Sequence, residues 1–269
     1  MLSRGVRRQI LASNDPALPF RKIAPLLSSS DLAFINLESP FSDRGPYHED
    51  GLIFHAPPVA IAGLQLAHVA VASTANNHSR DCGSYGVEFT VRWLASHGIV
   101  PVGSSESEAA THRGVVLERN GVRFGFLGYT YDQQNGNWRD IDSRIALVDP
   151  IIVARDVRQL RKRCDVVVVS MHGGIEYTTK PTAAQVTFAH SAVDAGASLV
   201  IGHHPHVIQP REDYRGGLIF YSLGNFVFDQ FQQEATQHGE IAEVDFFGRS
   251  VFVANVWPVR ISPTGPQIE

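Results

Sequence analysis

Val166-Val167-Val168-Val169-Ser170-Met171-His172-Gly173-Gly174 is a β-branched run that stops at a histidine and two glycines. Branching at Cβ stiffens the side chain and favours the pleated strand. An apolar run without polar alternation is the mark of a strand buried on both faces, as in parallel sheets covered by helices. The same form recurs along the chain. Leu199-Val200-Ile201-Gly202 runs into His203-His204-Pro205-His206, Val69-Ala70-Val71-Ala72-Ser73 into Asn76-Asn77-His78, and Leu32-Ala33-Phe34-Ile35 into Asn36-Leu37-Glu38. Between these runs, apolar residues take helical spacing: Val87, Val91 and Leu94; Val153, Val157 and Leu160; then Val186, Ala189 and Val193 in a helix opened by Pro181. Asn120-Gly121 between two short β-rich runs predicts a hairpin. Strands are also expected near 99–102, and at 218–222, 241–246 and 251–261 with no helix among the last three. Interleaved strands and helices followed by a late run of strands predict an α/β fold, two packed sheets with helices outside. No repeat or low-complexity linker divides the chain, so residues 1–269 are read as one domain.

Composition narrows the function. With 269 residues and 43% hydrophobic side chains the chain can bury an ordinary core. Lys and Arg total 23 against 27 Asp and Glu, and no basic cluster offsets that balance, which excludes a protein built mainly to hold nucleic acid. Two cysteines cannot make a disulfide framework: Cys82 and Cys164 form one bridge or remain two thiols. No apolar window is long enough for a membrane span, and Met1–Arg8 lacks the apolar middle of a secretory signal.

The chemistry collects where strands stop, the end at which open α/β sheets bind ligands. His203, His204 and His206 would repel one another if charged and would cost desolvation if buried, unless their lone pairs are used. Neutral imidazole is the commonest metal ligand, and His-x-His places two rings on one side of an extended segment. A solvated or hydrogen-bonded loop is the bland alternative. Mixed oxygen and nitrogen donors suit Zn, Mn or Fe better than Ca or Mg. Glu38 taken alone reads first as a helix cap or ion-pair partner, whereas Asn225 reads equally as a ligand-orienting amide or a turn cap. No Gly-rich phosphate loop, Gly-x-Ser-x-Gly elbow or dinucleotide fingerprint is present.

Five ordered motifs resemble a known family: Asn36-Leu-Glu38-Ser-Pro, Asn76-Asn-His-Ser-Arg-Asp81-Cys-Gly83, His172-Gly-Gly-Ile-Glu176-Tyr177, Gly202-His-His-Pro-His-Val207 and Tyr221-Ser-Leu-Gly-Asn225-Phe-Val-Phe. Together they resemble the CapA-type poly-gamma-glutamate capsule biosynthesis family, a branch of the calcineurin-like metallophosphoesterase superfamily, from about residue 1 to about residue 230. The resemblance implies a four-layer αββα sandwich and one or two divalent ions (Mn, Zn or Fe). It implies Glu38, Asn77, His172, His204 and His206 as metal ligands, His78 and Asp81 as catalytic groups, and Glu176, Tyr177, Asn225 and Arg4 as substrate contacts. In this family the first strand ends in a metal-binding Asp ahead of a Met-Leu-like pair. Met1-Leu2 fall where that pair would be, so the expectation is that the first strand is missing, through a truncated start, and that the site holds one ion or none without it. The compartment is then extracytoplasmic or membrane-associated if an upstream signal or anchor has been lost, and cytoplasmic otherwise.

Three functions follow as expectations. The first is a metal-dependent hydrolase acting on a phosphoester or a gamma-glutamyl, peptide-like substrate. The second is a non-catalytic subunit that binds an anionic polymer or membrane-bound capsule synthase subunits. The third is metal-free acid–base chemistry, such as peptide epimerisation, which needs an acid and a base across one carbon.

Overall fold

In a computed structural model, residues 1–44, 52–131 and 141–269 are described. The first third carries helices α1 (Arg4–Ala12) and α2 (Ala24–Leu27), strand β1 (Ala33–Asn36), α3 (Ile61–Leu66), β2 (Val69–Ser73), α4 (Gly83–Ser96) and β3 (Val100–Val102). There follow α5 (Glu108–Arg113), β4 (Val115–Arg119), β5 (Val122–Thr130), α6 (Pro150–Leu160), β6 (Val166–His172), α7 (Ala183–Asp194) and β7 (Leu199–His203). The chain ends in strands: β8 (Ile208–Tyr214), β9 (Gly217–Leu223), β10 (His238–Phe247), β11 (Ser250–Arg260) and β12 (Gln267–Ile268).

The architecture is the expected four-layer αββα sandwich. One β layer is a six-stranded sheet in the order β4-β5-β6-β7-β9-β8, with β5, β6, β7 and β9 parallel and the two edges antiparallel. The opposing layer consists of two three-stranded sheets, parallel β1-β2-β3 and antiparallel β10-β11-β12. Val71, Phe126, Val168, Leu199 and Phe220 fill the space between layers, and Phe34 stacks on Phe126 across it. Helices α6 and α7 cover the outer face of the six-stranded sheet, where Val153, Val157, Leu160, Phe188 and Ala189 are buried. On the other side, Phe20, Ile23, Leu64 and Leu94 build a second helix-on-sheet core.

Local chemistry sets the elements. Every residue of β6 is buried, as its unbroken apolar run requires. Asp149 caps α6 by accepting from the Ile151 and Ile152 amides, with Pro150 in the first turn. The start of α7 differs from expectation: Thr182, not Pro181, opens it, in a capping box with Gln185. β8 was not foreseen, because Ile208-Gln-Pro-Arg-Glu-Asp-Tyr is an edge strand whose polar residues and proline carry no strand pattern. Both cysteines are free and buried. Among the described residues no helix is long and apolar enough to cross a membrane.

Candidate metal centre

Side chains from the carboxyl ends of β1, β2, β6, β7 and β9 meet over the seam between the β layers. The turn after β2 is tied to the end of β1 by Asn76, whose Nδ2 donates to the Leu37 carbonyl (2.8 Å) while its Oδ1 accepts from the His78 amide (3.0 Å). That turn aims Asn77 and His78 in different directions. Asn77 reaches across to the six-stranded sheet, where its Oδ1 and His172 Nε2 are 2.9 Å apart. His78 turns back to Asp81, with Nδ1 to Oδ2 at 2.7 Å, and its ring stacks on Phe54 with centroids 3.8 Å apart.

The loop after β7 holds two histidines at positive φ, His204 at 101° and His206 at 60°. Non-glycine residues pay about 1–3 kcal/mol for such backbone, and it persists where surrounding structure imposes it. His204 lies beside His172, with ring centroids 5.1 Å apart. His206 Nε2 faces Glu38 Oε1 at 3.6 Å. Asn225 fixes the other side of the His206 ring. Its Nδ2 donates to Thr236 O (2.9 Å) and Gln230 Oε1 (3.1 Å), which turns its Oδ1 to accept from His206 Nδ1 (3.0 Å). His206 Nε2 therefore points into the cluster, toward Glu38. A ligand histidine held by its other ring nitrogen is the usual outer-shell arrangement of metal sites.

Glu176 joins from the loop after β6. Its carboxylate and ring nitrogens of His204 and His206 lie within 4.8 Å of one another. Below this loop, Gln185 Nε2 donates to Gln209 Oε1, and Gln209 Nε2 donates to the Thr178 and Lys180 carbonyls. The Tyr177 amide donates to Pro205 O at 2.8 Å, locking the Glu176 loop to the histidine loop.

The donor set fits a divalent ion. Glu38 Oε1, His172 Nδ1 and His204 Nδ1 are buried with no hydrogen-bond partner among the described residues. Burial drives the His172 pKa far below its ordinary value, helped by the neighbouring imidazoles, and it lowers His204 despite the Glu38 carboxylate nearby. Those rings are neutral, so they present lone pairs. Neutral imidazoles beside two carboxylates are the donors that Zn, Mn and Fe take. His78 behaves oppositely. Burial alone would lower its pKa, but Asp81, Glu38 and Glu176 outweigh that and raise it.

The expected site residues thus fall into three places. Glu38, Asn77, His78, Asp81, His172, His204 and His206 share the cleft. Glu176, expected as a substrate contact, sits within the densest donor cluster. Asn225, expected with it, lies buried behind His206 and orients that ring. Tyr177 is at the mouth, 6.2 Å from the His206 ring, and Arg4 pairs with Asp229 at 3.3 Å beside it. Gln185 and Gln209 carried no signal in sequence, because only the folded loop brings them together.

The family model described as bacterial capsule synthesis protein PGA_cap matches residues 1–230. The chain belongs to that family. A capsule biosynthesis protein CapA from Bacillus anthracis is 31% identical over 257 residues, covering 92% of this chain and 62% of the relative. A PGA biosynthesis protein CapA from Bacillus subtilis is 34% identical over 215 residues, covering 78% and 57%. This PGA_cap chain therefore spans about three fifths of the length of these relatives. Among solved structures, a hypothetical protein from Thermus thermophilus superimposes with TM-score 0.56 at 16% identity, covering 87% of this chain and 90% of that one. A putative 5'-nucleotidase from Staphylococcus aureus gives 0.56 at 15% identity, covering 91% and 49%. These likenesses show a metallophosphoesterase-like fold.

Proposed function

We propose that this PGA_cap chain is a metal-dependent hydrolase serving the synthesis of a poly-gamma-glutamate-type polymer, acting on an anionic phosphoester or gamma-glutamyl bond. The observation that carries the reading is the cleft itself: neutral His172 and His204, each with a buried nitrogen that has no partner among the described residues, and His206 held by Asn225, all beside Glu38 and Glu176. A bound divalent ion supplies Lewis acidity toward a phosphoryl or carbonyl oxygen. Glu38, Glu176, His172, His204 and His206 would hold it, with Asn77 alongside. His78, oriented by Asp81 through Nδ1, presents Nε2 to the cleft as the group that moves a proton to the leaving atom. Tyr177 and Arg4 rim the opening, where an anionic chain would enter. Family membership supports a polymer-synthesis setting, with membrane-bound capsule synthase subunits as partners.

The test uses two probes, bis(p-nitrophenyl) phosphate and gamma-glutamyl-p-nitroanilide. Hydrolysis of one of them is expected, abolished by chelator, restored by Mn or Zn, and lost in His204→Ala. No turnover of either under metal-replete conditions overturns the hydrolase reading. Turnover indifferent to chelator overturns the metal. Retention of poly-gamma-glutamate in both chelator and His204→Ala, without turnover, assigns the chain to a binding role instead.

A further inference from the structure

Glu176 is the exposed member of the donor cluster, whereas His204 and His206 are buried. It stands on the stretch between β6 and α7, residues 173–182, which holds no helix or strand. A loop of that kind has many conformations to lose, so a ligand carried on it strengthens binding only when something fixes it beforehand. Ties to the body of the protein reach it at Tyr177, whose amide donates to Pro205 O at 2.8 Å and whose phenol oxygen accepts from Gln230 Nε2 at 3.3 Å. Beyond Tyr177, the carbonyls of Thr178 and Lys180 both accept from Gln209 Nε2, at 2.8 and 3.1 Å.

The orientation of these amides is forced. The Thr182 N–H can only donate, so Gln185 turns its Oε1 to it at 2.9 Å and its Nε2 away. That Nε2 donates to Gln209 Oε1 at 3.0 Å and lies 3.4 Å from Tyr221 O, which leaves Gln209 Nε2 facing the two loop carbonyls. Gln185 and Gln209 are only 2% and 3% exposed, and a buried amide without such partners would be costly. The backbone is fitted to them as well. Gly174 has φ +118°, and a Cβ there would come within 2.6 Å of Gln185 Oε1.

We propose that Gln185 and Gln209 are a positioning pair for Glu176: they carry a fixed orientation from α7 and β8 into the loop and hold its carboxylate against His204 and His206. The proposal deepens the divalent-ion reading of the cleft and rests on it. Gln209 follows His206 by three residues, and Tyr177 closes on Pro205 between the two histidines, so one short stretch of chain carries the imidazole donors and fixes the carboxylate beside them. The two amides are spent on each other and on backbone, so the pair acts through Glu176 rather than on the ion.

The test measures Mn affinity by titration calorimetry in Gln209→Met and Gln185→Met, each of which removes the amide at similar length. Both are made in the parent chain and again with Glu176→Gln, and circular dichroism checks each fold. Exchange of the Tyr177 amide is followed in the metal-free proteins. The expected result is Mn binding weaker by about tenfold or more in either variant, and a change within about twofold once Glu176→Gln is present. The Tyr177 amide should exchange about tenfold faster without metal. Unchanged Mn affinity in a folded variant overturns the proposal. Equal weakening in the Glu176→Gln background overturns it too, because the pair then acts on the histidines or on the fold at large. A parent chain that binds no Mn refutes the divalent-ion reading instead. The metal-free exchange then decides the loop's anchorage: faster exchange at Tyr177 supports it, and unchanged exchange overturns it. If neither variant folds, the pair is part of the core and the proposal falls.

Discussion

Asp81 serves two donors at once, the His78 ring nitrogen at 2.7 Å and the Phe54 amide. Both donors meet the same oxygen, Oδ2, so an Asp-to-Asn change can keep both hydrogen bonds through its amide oxygen but removes the negative charge that raises the His78 pKa. Asp81→Asn is therefore expected to lower turnover by about a hundredfold while leaving metal content unchanged. Loss of metal together with turnover would place Asp81 in the metal shell and contradict its role as the orienter of His78. Gly202 is decided by space rather than by φ. A Cβ there would overlap the Tyr221 carbonyl oxygen, and backbone cannot step aside as a flexible side chain can. Gly202→Ala should cost about 2 kcal/mol or more in denaturant unfolding. A loss under about 0.5 kcal/mol, the range of ordinary surface changes, would show that β7 and β9 can separate at that point.

At the scale of elements, Asp156 on α6 ties three pieces of chain together. His112 on α5 approaches its carboxylate at 2.6 Å, and Tyr129 on β5 donates to it at 2.9 Å, while Arg155 pairs at 2.8 Å. Burial would raise the Asp156 pKa, yet these hydrogen bonds hold it below the ordinary carboxylate value. A depressed carboxylate stabilises the fold above its unfolded pKa, and that contribution disappears as pH falls through the folded value. Asp156→Ala should thus cost about 1–3 kcal/mol at neutral pH, with the gap to the parent chain narrowing as pH drops below about 4. A gap independent of pH would show that packing, not ionisation, sets the loss. Elements with a strong period were legible in sequence: β6 through its valines, α4 through Val87, Val91 and Leu94, and the β4–β5 hairpin through Asn120-Gly121. Others were not. α1 is short and arginine-rich, and its period rests on Val6 and Ile10 alone, while β8 reads as a polar loop until β9 pairs with it.

At the scale of the whole molecule, two parallel sheets bring their carboxyl ends to one edge, and the site exists because those ends face each other. Asn77 and His172 are 95 residues apart yet in contact across the layers. The clustering of His, Asn and Glu at strand ends was legible in sequence, because each motif follows directly on an apolar run. Pairings between motifs were not, since they depend on register across layers. That is why Glu176 and Asn225, both expected as substrate contacts, take different places, one entering the donor cluster and the other supporting His206 from behind. The central claim is that this cluster holds a divalent ion, and equilibrium metal analysis tests it most directly. The purified chain is dialysed against Mn or Zn and compared with His204→Ala/His206→Ala, with circular dichroism confirming that both are folded. The account predicts about one to two ions per chain and their loss in the double variant. Equal metal content in the two folded proteins, or none in either, would contradict it.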